Sequence, residues 1–404
     1  MDEGRRPYPT SLADWRCERS SRDSVMIWIE SHIGAVGTGT GMTNPTGTPQ
    51  AETPENMTAA VLIGHGGPEN LVIRHDAPTP VPGDGEVLVR VGACGVNNTD
   101  INTRTGWYGT DRSSVGGVAW NGVPVSLPRI QGADVVGVVV ATKSAEDDRL
   151  IGRRVLVDPW LRDNVSAEGA LSPEYLGSER DGGFAQFVAV PAANAYPIES
   201  GFSDIELATF PCSASTAEHM LQRASLREGE TVIVTGASGG VGTFLIQLAR
   251  MRGARVIALA STDRVADVVA LGADMVFARE HVDDWRDLLP LIGGPVEVVA
   301  DVVGGAGGFR SALGVLQRRG RYVTAGAIGG AEVELDLRTL YLKDLTLSGC
   351  SFYDAALFER LVRIIEDEQV KPVVSHVFAL AQIHEAQALL PRRARAGSIV
   401  LTPA

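Results

Sequence analysis

The chain has 404 residues, 44% of them hydrophobic and 21% charged, the balance of a globular protein long enough for two sizeable cores. Its net charge of −13 argues against nucleic acid or an anionic membrane surface as a partner. The four cysteines, Cys17, Cys94, Cys212 and Cys350, are too widely spaced for a disulfide framework and point to a reducing, cytoplasmic setting. No apolar run approaches the roughly 20 residues that span a bilayer.

Residues 1–56 mix charge, Gly, Thr and Pro without a sustained period, as in Gly37-Thr38-Gly39-Thr40-Gly41. Ser24 to Ile33 is modestly apolar but lacks the architecture of a signal peptide, so the stretch reads as a disordered extension. Met57 directly precedes the first convincing strand, which leaves open whether residues 1–56 belong to the mature protein. From Thr58 the text turns strand-like. Ala59–Ile63, Glu86–Val91, Val135–Val140, Arg154–Val157 and Phe184–Val190 are short β-rich runs separated by Gly and Pro, which predicts a mostly-β domain over 57–203.

Around residue 204 helical segments begin to alternate with apolar strands. The β-branched run Thr231–Val234 feeds the turn Gly236-Ala237-Ser238-Gly239-Gly240-Val241-Gly242. A helix-period segment follows, with Val241, Leu245 and Leu248 on one face. Glycines in that strand–turn–helix context permit a tight turn and close approach of backbone to a pyrophosphate, which then sits at the helix N-terminus. A second strand, Ala254–Ala260, lies at βαβ distance, and Val296–Asp301 and Arg321–Ala325 continue the series. The pattern predicts an α/β segment over 204–349 with a doubly wound parallel sheet. The final segment, 350–404, ends in the strand Gly397–Leu401 and is expected to return to the first domain.

Six motifs in order carry a family resemblance over residues 57–404. They are Gly95-Val96-Asn97-Asn98-Thr99-Asp100, Gly132-Ala133-Asp134-Val135-Val136-Gly137, Asp181–Phe187, Phe210–Thr216, the glycine-rich turn, and Asp301–Gly305. The chain resembles the medium-chain dehydrogenase/reductase superfamily, which comprises zinc alcohol dehydrogenases and zinc-free quinone-oxidoreductase relatives. The resemblance implies a GroES-like β domain packed on a Rossmann domain, with the active site in the cleft between them. It also implies a homodimer or homotetramer.

In the zinc branch the metal is held by a Cys, a His and a second Cys or an Asp. The first Cys position is Asn97 here and the His position is Ala133, while Asp134 stands where a Glu would follow the His. Cys212 matches the last Cys and is expected to be a small buried hydrophobe. Cys94 and His219 are poorly placed to replace the missing ligands, so no metal site is expected.

Without zinc, a hydrogen-bond donor must stabilise the developing oxyanion. Asn97 is the first candidate because it takes the lost ligand's place; its plain alternative is an asparagine tying a strand end to a turn. Thr216 matches a position near the nicotinamide and could equally be a helix-start hydroxyl. Tyr108 lies on a segment that borders the cleft in relatives, as proton donor or as aromatic packing. Asp100 matches a residue beside the metal in the zinc branch. At the end of the second parallel strand, Ser261 and Arg264 suit a 2′-phosphate, although Asp263 keeps NADH open.

The resemblance to the zinc-free branch implies an NADPH-dependent reductase of a small quinone, enone or related carbonyl substrate. Two other readings stay open: a zinc-dependent alcohol dehydrogenase, and a non-catalytic NADPH-binding protein. The loops Asp111–Ser126 and Leu161–Tyr175 are expected to shape the substrate pocket.

Overall fold

The computed structural model describes residues 53–109, 124–162, 172–392 and 395–403. The expected N-terminal extension up to residue 52 and most of the two pocket-shaping loops lie outside the described residues. Residues 52–286 and 295–404 form one compact unit that carries both main sheets. A second unit takes in Asp287–Gly294, where Leu289–Ile292 makes one helical turn ended by Gly293 in the left-handed region.

The N-terminal half is built from strands β1 (Asn56–Leu62), β2 (Leu71–Pro78), β3 (Glu86–Val96), β4 (Arg129–Ile130) and β5 (Asp134–Thr142). It continues with β6 (Arg154–Val157), β7 (Trp160–Leu161), β8 (Glu174–Tyr175), β9 (Phe187–Pro191) and β10 (Ala195–Pro197). The parallel sheet follows as β11 (Thr231–Val234), β12 (Arg255–Ala260), β13 (Met275–Ala278), β14 (Val296–Asp301), β15 (Leu316–Thr324) and β16 (Thr346–Gly349). Its order is β13-β12-β11-β14-β15-β16, the doubly wound arrangement. Central β11 and β14 are almost wholly buried, as strands covered on both faces must be.

The chain then returns. Strands β17 (Val374–Ala379) and β18 (Ser398–Thr402) join the first large sheet, whose path is β10-β6-β5-β3-β18-β17, with β9 also on β3. β18 runs antiparallel to the end of β3, with Ile399 opposite Val96. A GroES-like β fold and a Rossmann sheet are therefore both present.

Four helices matter for the cleft: α1 (Asn98–Thr105), α2 (Pro211–Arg223), α3 (Gly240–Met251) and α4 (Ala355–Glu366). α4 buries Leu357, Phe358, Leu361, Val362 and Ile365, the stripe of an amphipathic helix. Phe210, just before α2, packs on Phe244 of α3 with ring centroids 4.9 Å apart. One continuous apolar cluster runs from Ala93 and Val136 of the first sheet through these rings to Val232 and Val234 of the second. The two halves thus share a core, which fixes the walls of the cleft between them.

Two of the differences from the sequence expectation concern β3 and β15. β3 runs on to Val96 rather than stopping at Val91, so it delivers Asn97 directly to the cleft. β15 begins at Leu316, where Arg318 and Arg319, both exposed, interrupt the apolar pattern that would have revealed it.

Candidate active site

A cavity of about 190 Å³ opens between the two sheets. Its walls include Asn97, Tyr108, Thr216 and Cys212 on one side and Gly239, Gly240, Val241 and Gly242 on the other. Residues far apart in sequence, and singled out for different reasons, therefore face one space.

Asn97 is where β3 becomes α1. Its backbone N–H donates to Asp100 Oδ2 at 2.7 Å, closing the first turn of the helix. Its side chain reaches Asp134 and Ser213: Nδ2 donates to Asp134 Oδ2 at 2.6 Å, and Ser213 Oγ donates to Asn97 Oδ1 at 3.5 Å. The other oxygen of Asp134 accepts the backbone N–H of Cys212 in the first turn of α2. This close approach needs Gly95, because a Cβ there would lie 2.6 Å from Asp134 Oδ2 and 2.5 Å from the Ala208 carbonyl.

Both acids are buried. Burial pushes Asp134 up to about 6 against the hydrogen bonds from Asn97 and Cys212. Burial also pushes Asp100 up to about 8, opposed by the N–H groups of Asn97 and Gly132 and reinforced by the Asp134 charge.

Cys212 corrects an expectation. It is half-buried at the cleft wall, and the hydroxyls of Tyr175 and Thr216 both engage its sulfur. The desolvated surroundings and nearby Asp134 hold its thiol well above the usual range. Thr216 lies one turn further along α2, so its hydroxyl serves the cleft rather than the helix start. Tyr108 Oη donates to Thr99 Oγ1 at 3.0 Å and accepts from Asn102 Nδ2 at 3.4 Å. Burial pushes this phenol up to about 12, and Trp107 packs edge-on against its ring.

Trp160 and Tyr175 also line the cavity, on the paired strands β7 and β8, with ring centroids 4.8 Å apart. Sequence reasoning missed Trp160, since two-residue strands leave no periodic signal, and reached Tyr175 only as the end of the loop Leu161–Tyr175 expected to shape the pocket. Asp301, from the last family-like motif, accepts from Thr235 Oγ1, Tyr322 Oη and the N–H groups of Val303 and Gly304. It braces the loop whose Val302 borders the cavity.

The glycine-rich turn has the form that a dinucleotide requires. Gly236 adopts φ +54°, and Gly239 caps the twelve-residue α3. A Cβ at Gly240 would lie 2.5 Å from Ser213 Oγ, and one at Gly242 would lie 2.2 Å from the Gly236 carbonyl. Ala237 is buried, and its N–H donates to the Leu259 carbonyl at 3.3 Å. The Ser238 carbonyl accepts the N–H of Gly397 at 3.0 Å, tying the returning chain to the turn. Arg264 Nη1 donates to Ser238 Oγ at 3.4 Å. Ser261 stands at the end of β12, before the short turn Thr262–Arg264. Glu280 was not foreseen there; it accepts from both the N–H and the hydroxyl of Thr262. Backbone N–H groups at a helix start and a left-handed glycine suit a pyrophosphate.

A catalytic zinc does not suit these residues. Ala133 offers no donor atom, the Asn97 amide is tied to Asp134, and the Cys212 sulfur is engaged by two hydroxyls. Among the described residues, no group of three or more His, Cys, Asp or Glu side chains is placed to hold a metal ion.

A GroES-like β fold joined to a parallel sheet with this turn defines a nicotinamide-dependent oxidoreductase. Residues 83–200 match the family described as alcohol dehydrogenase GroES-like domain, and residues 240–367 match zinc-binding dehydrogenase. A crystal structure from Sinorhizobium meliloti, provisionally assigned as an alcohol dehydrogenase, is 46% identical with a TM-score of 0.81. The match covers 87% of this chain and 98% of that one. The acryloyl-coenzyme A reductase of Metallosphaera sedula is 27% identical, over 86% of this chain and 100% of its own length. The human quinone oxidoreductase is 26% identical, over 82% of this chain and 92% of its own. The chain belongs to the medium-chain dehydrogenase/reductase superfamily and is an NAD(P)-dependent oxidoreductase.

Proposed function

We propose that the protein reduces a conjugated carbonyl or a quinone with NADPH, without a catalytic metal. The observation that carries this reading is the replacement of the metal position by a closed hydrogen-bonded pair, Asn97 to Asp134 at 2.6 Å, at the wall of the cofactor cleft.

When bound, the nicotinamide supplies the hydride; this chain supplies position and polarity. The N-terminus of α3 and the turn Gly236–Gly242 would hold the pyrophosphate. Ser238, Ser261 and Arg264 would meet the adenosine end, where the guanidinium, 3.4 Å from Ser238 Oγ, would favour a 2′-phosphate. Asn97 donates a hydrogen bond to the substrate oxygen as negative charge builds on it, which costs little reorganisation in a partly enclosed cleft. Thr216 lines the cleft in which the cofactor would bind, and its hydroxyl, with Cys212 and Tyr175, forms a polar wall there. Tyr108 shapes the pocket, because its hydroxyl is committed to Thr99 and Asn102. Solvent entering the cleft provides the proton that completes the reduction.

The names of the quinone and acryloyl-coenzyme A reductases in the family support an electron-poor C=C or quinone acceptor. The test is cofactor oxidation with a quinone, an enone and an aldehyde as acceptors. Quinone or enone turnover that prefers NADPH over NADH is the expected result. Turnover confined to aldehydes and alcohols would favour the alcohol dehydrogenase reading, and cofactor binding with no turnover would favour a non-catalytic binder.

A further inference from the structure

We propose that Asp134 is a positioning residue, which acts on substrate only by fixing the orientation of the Asn97 carboxamide. The inference deepens the proposed function, because it rests on Asn97 as the donor to the substrate oxygen.

A carboxamide has donor and acceptor ends of nearly equal shape, so its partners decide which way it faces. An ionised carboxylate can only accept. With Oδ2 of Asp134 at 2.6 Å, the amide nitrogen of Asn97 is held toward the acid, and the Oδ1 end is left to the hydroxyl of Ser213. The reverse orientation would set two oxygens against each other in a buried site, where an unpaired acceptor is costly. One N–H of Asn97 is thus committed to Asp134, and the second remains available to the cleft that the residue lines.

Asp134 is 1% exposed and lies behind the cleft wall, so it does not reach substrate itself. Its second oxygen takes the N–H of Cys212. The same carboxyl therefore ties the end of β3 to the first turn of α2, which carries Ser213 and Thr216. Gly95 supplies the space, since any Cβ there would intrude on both Asp134 and the Ala208 carbonyl. A position that accompanies metal ligands in relatives here orients an organic donor.

The experiment is a double-mutant cycle on kcat/KM for an enone with NADPH, using Asn97→Ala and Asp134→Asn. Loss of the Asn97 donor is expected to cost about a hundredfold. Asp134→Asn, which lets the amide turn over, is expected to cost about tenfold in kcat with the KM for NADPH unchanged. In the Asn97→Ala background, Asp134→Asn should cost nothing further. The same penalty in both backgrounds, or a raised KM for NADPH, would mark Asp134 as structural and overturn the proposal. If Asn97→Ala leaves kcat/KM unchanged, the reading of Asn97 itself fails, a different result from additivity. A second readout needs only the cofactor-free wild type, with Asn97→Ala for assignment. One side-chain amide proton of Asn97 should resonate downfield and exchange slowly with solvent; two ordinary, fast-exchanging protons would overturn the proposal without requiring the Asp134 variant to fold.

Discussion

Arg264 Nη1 lies 3.4 Å from Ser238 Oγ, so a cation from beyond the second parallel strand reaches back to the glycine-rich turn. The guanidinium is only partly exposed, and Asp263 stands 3.8 Å from its Nε. A charge-assisted contact of this kind contributes about 1.5–3 kcal/mol to binding. Arg264→Ala should therefore raise the Kd for NADPH by about 10- to 100-fold while leaving that for NADH nearly unchanged. Titration of cofactor fluorescence checks this, and equal losses for both cofactors would remove Arg264 from the specificity argument.

Gly242 admits no side chain. A Cβ there would sit 2.2 Å from the Gly236 carbonyl and 2.7 Å from the Cα of Ala237, both backbone atoms that cannot swing aside. Gly242→Ala should cost about 1–3 kcal/mol of stability through overpacking and also weaken cofactor binding, because it pushes α3 from its turn. Thermal unfolding with and without NADPH measures both effects. A variant that keeps wild-type Tm and affinity would contradict the geometry.

The four inner strands of the parallel sheet were legible in the sequence because they are short apolar runs separated by helices, whereas the edge strands β13 and β16 were not read. The turn Gly236–Gly242 was legible because backbone chemistry constrains residue type there. The cleft was only half legible. Asn97 and Thr216 emerged from motif order and Tyr108 from its segment's place in the family resemblance, and all three line the cavity. Trp160 did not, and Tyr175 did only as the end of a loop expected to shape the pocket, because β7 and β8 are two residues each and draw their order from tertiary packing. Nor did the sequence reveal that Cys212 would be engaged by Tyr175 and Thr216, or that Glu280 would close on Thr262. Such contacts depend on which loops meet, which no local pattern encodes.

Phe210 and Phe244 join the two halves of the shared core, and each is essentially unexposed. Phe244→Ala should cost about 3–5 kcal/mol. Because the lost packing lies under the cleft, Tm should fall and the KM for substrate should rise together. Denaturant unfolding beside steady-state kinetics checks the pairing; a large Tm loss with unchanged kinetics would show that the cleft walls are held by other contacts.

Asp100 and Asp134 give the fold a pH dependence whose sign is fixed. Their carboxyls rise from 3.8 to about 8 and about 6, chiefly through burial. Below pH 4 both are protonated whether the chain is folded or not, and their contribution is fully present. As pH rises the unfolded chain releases these protons first, so the folded state binds more protons and stability falls until pH passes about 8. Asp100→Asn should flatten the upper part of that decline in a Tm series between pH 5 and pH 9. An unchanged slope would show that other groups set it.

The central claim is that hydride transfer here proceeds without a metal. The most direct measurement is NADPH-driven enone or quinone reduction by protein stripped with a chelator, with its zinc content determined on the same sample. Turnover should persist undiminished at negligible zinc and should not rise when zinc is added. Activity that disappears with the metal and returns at one zinc per chain would contradict it.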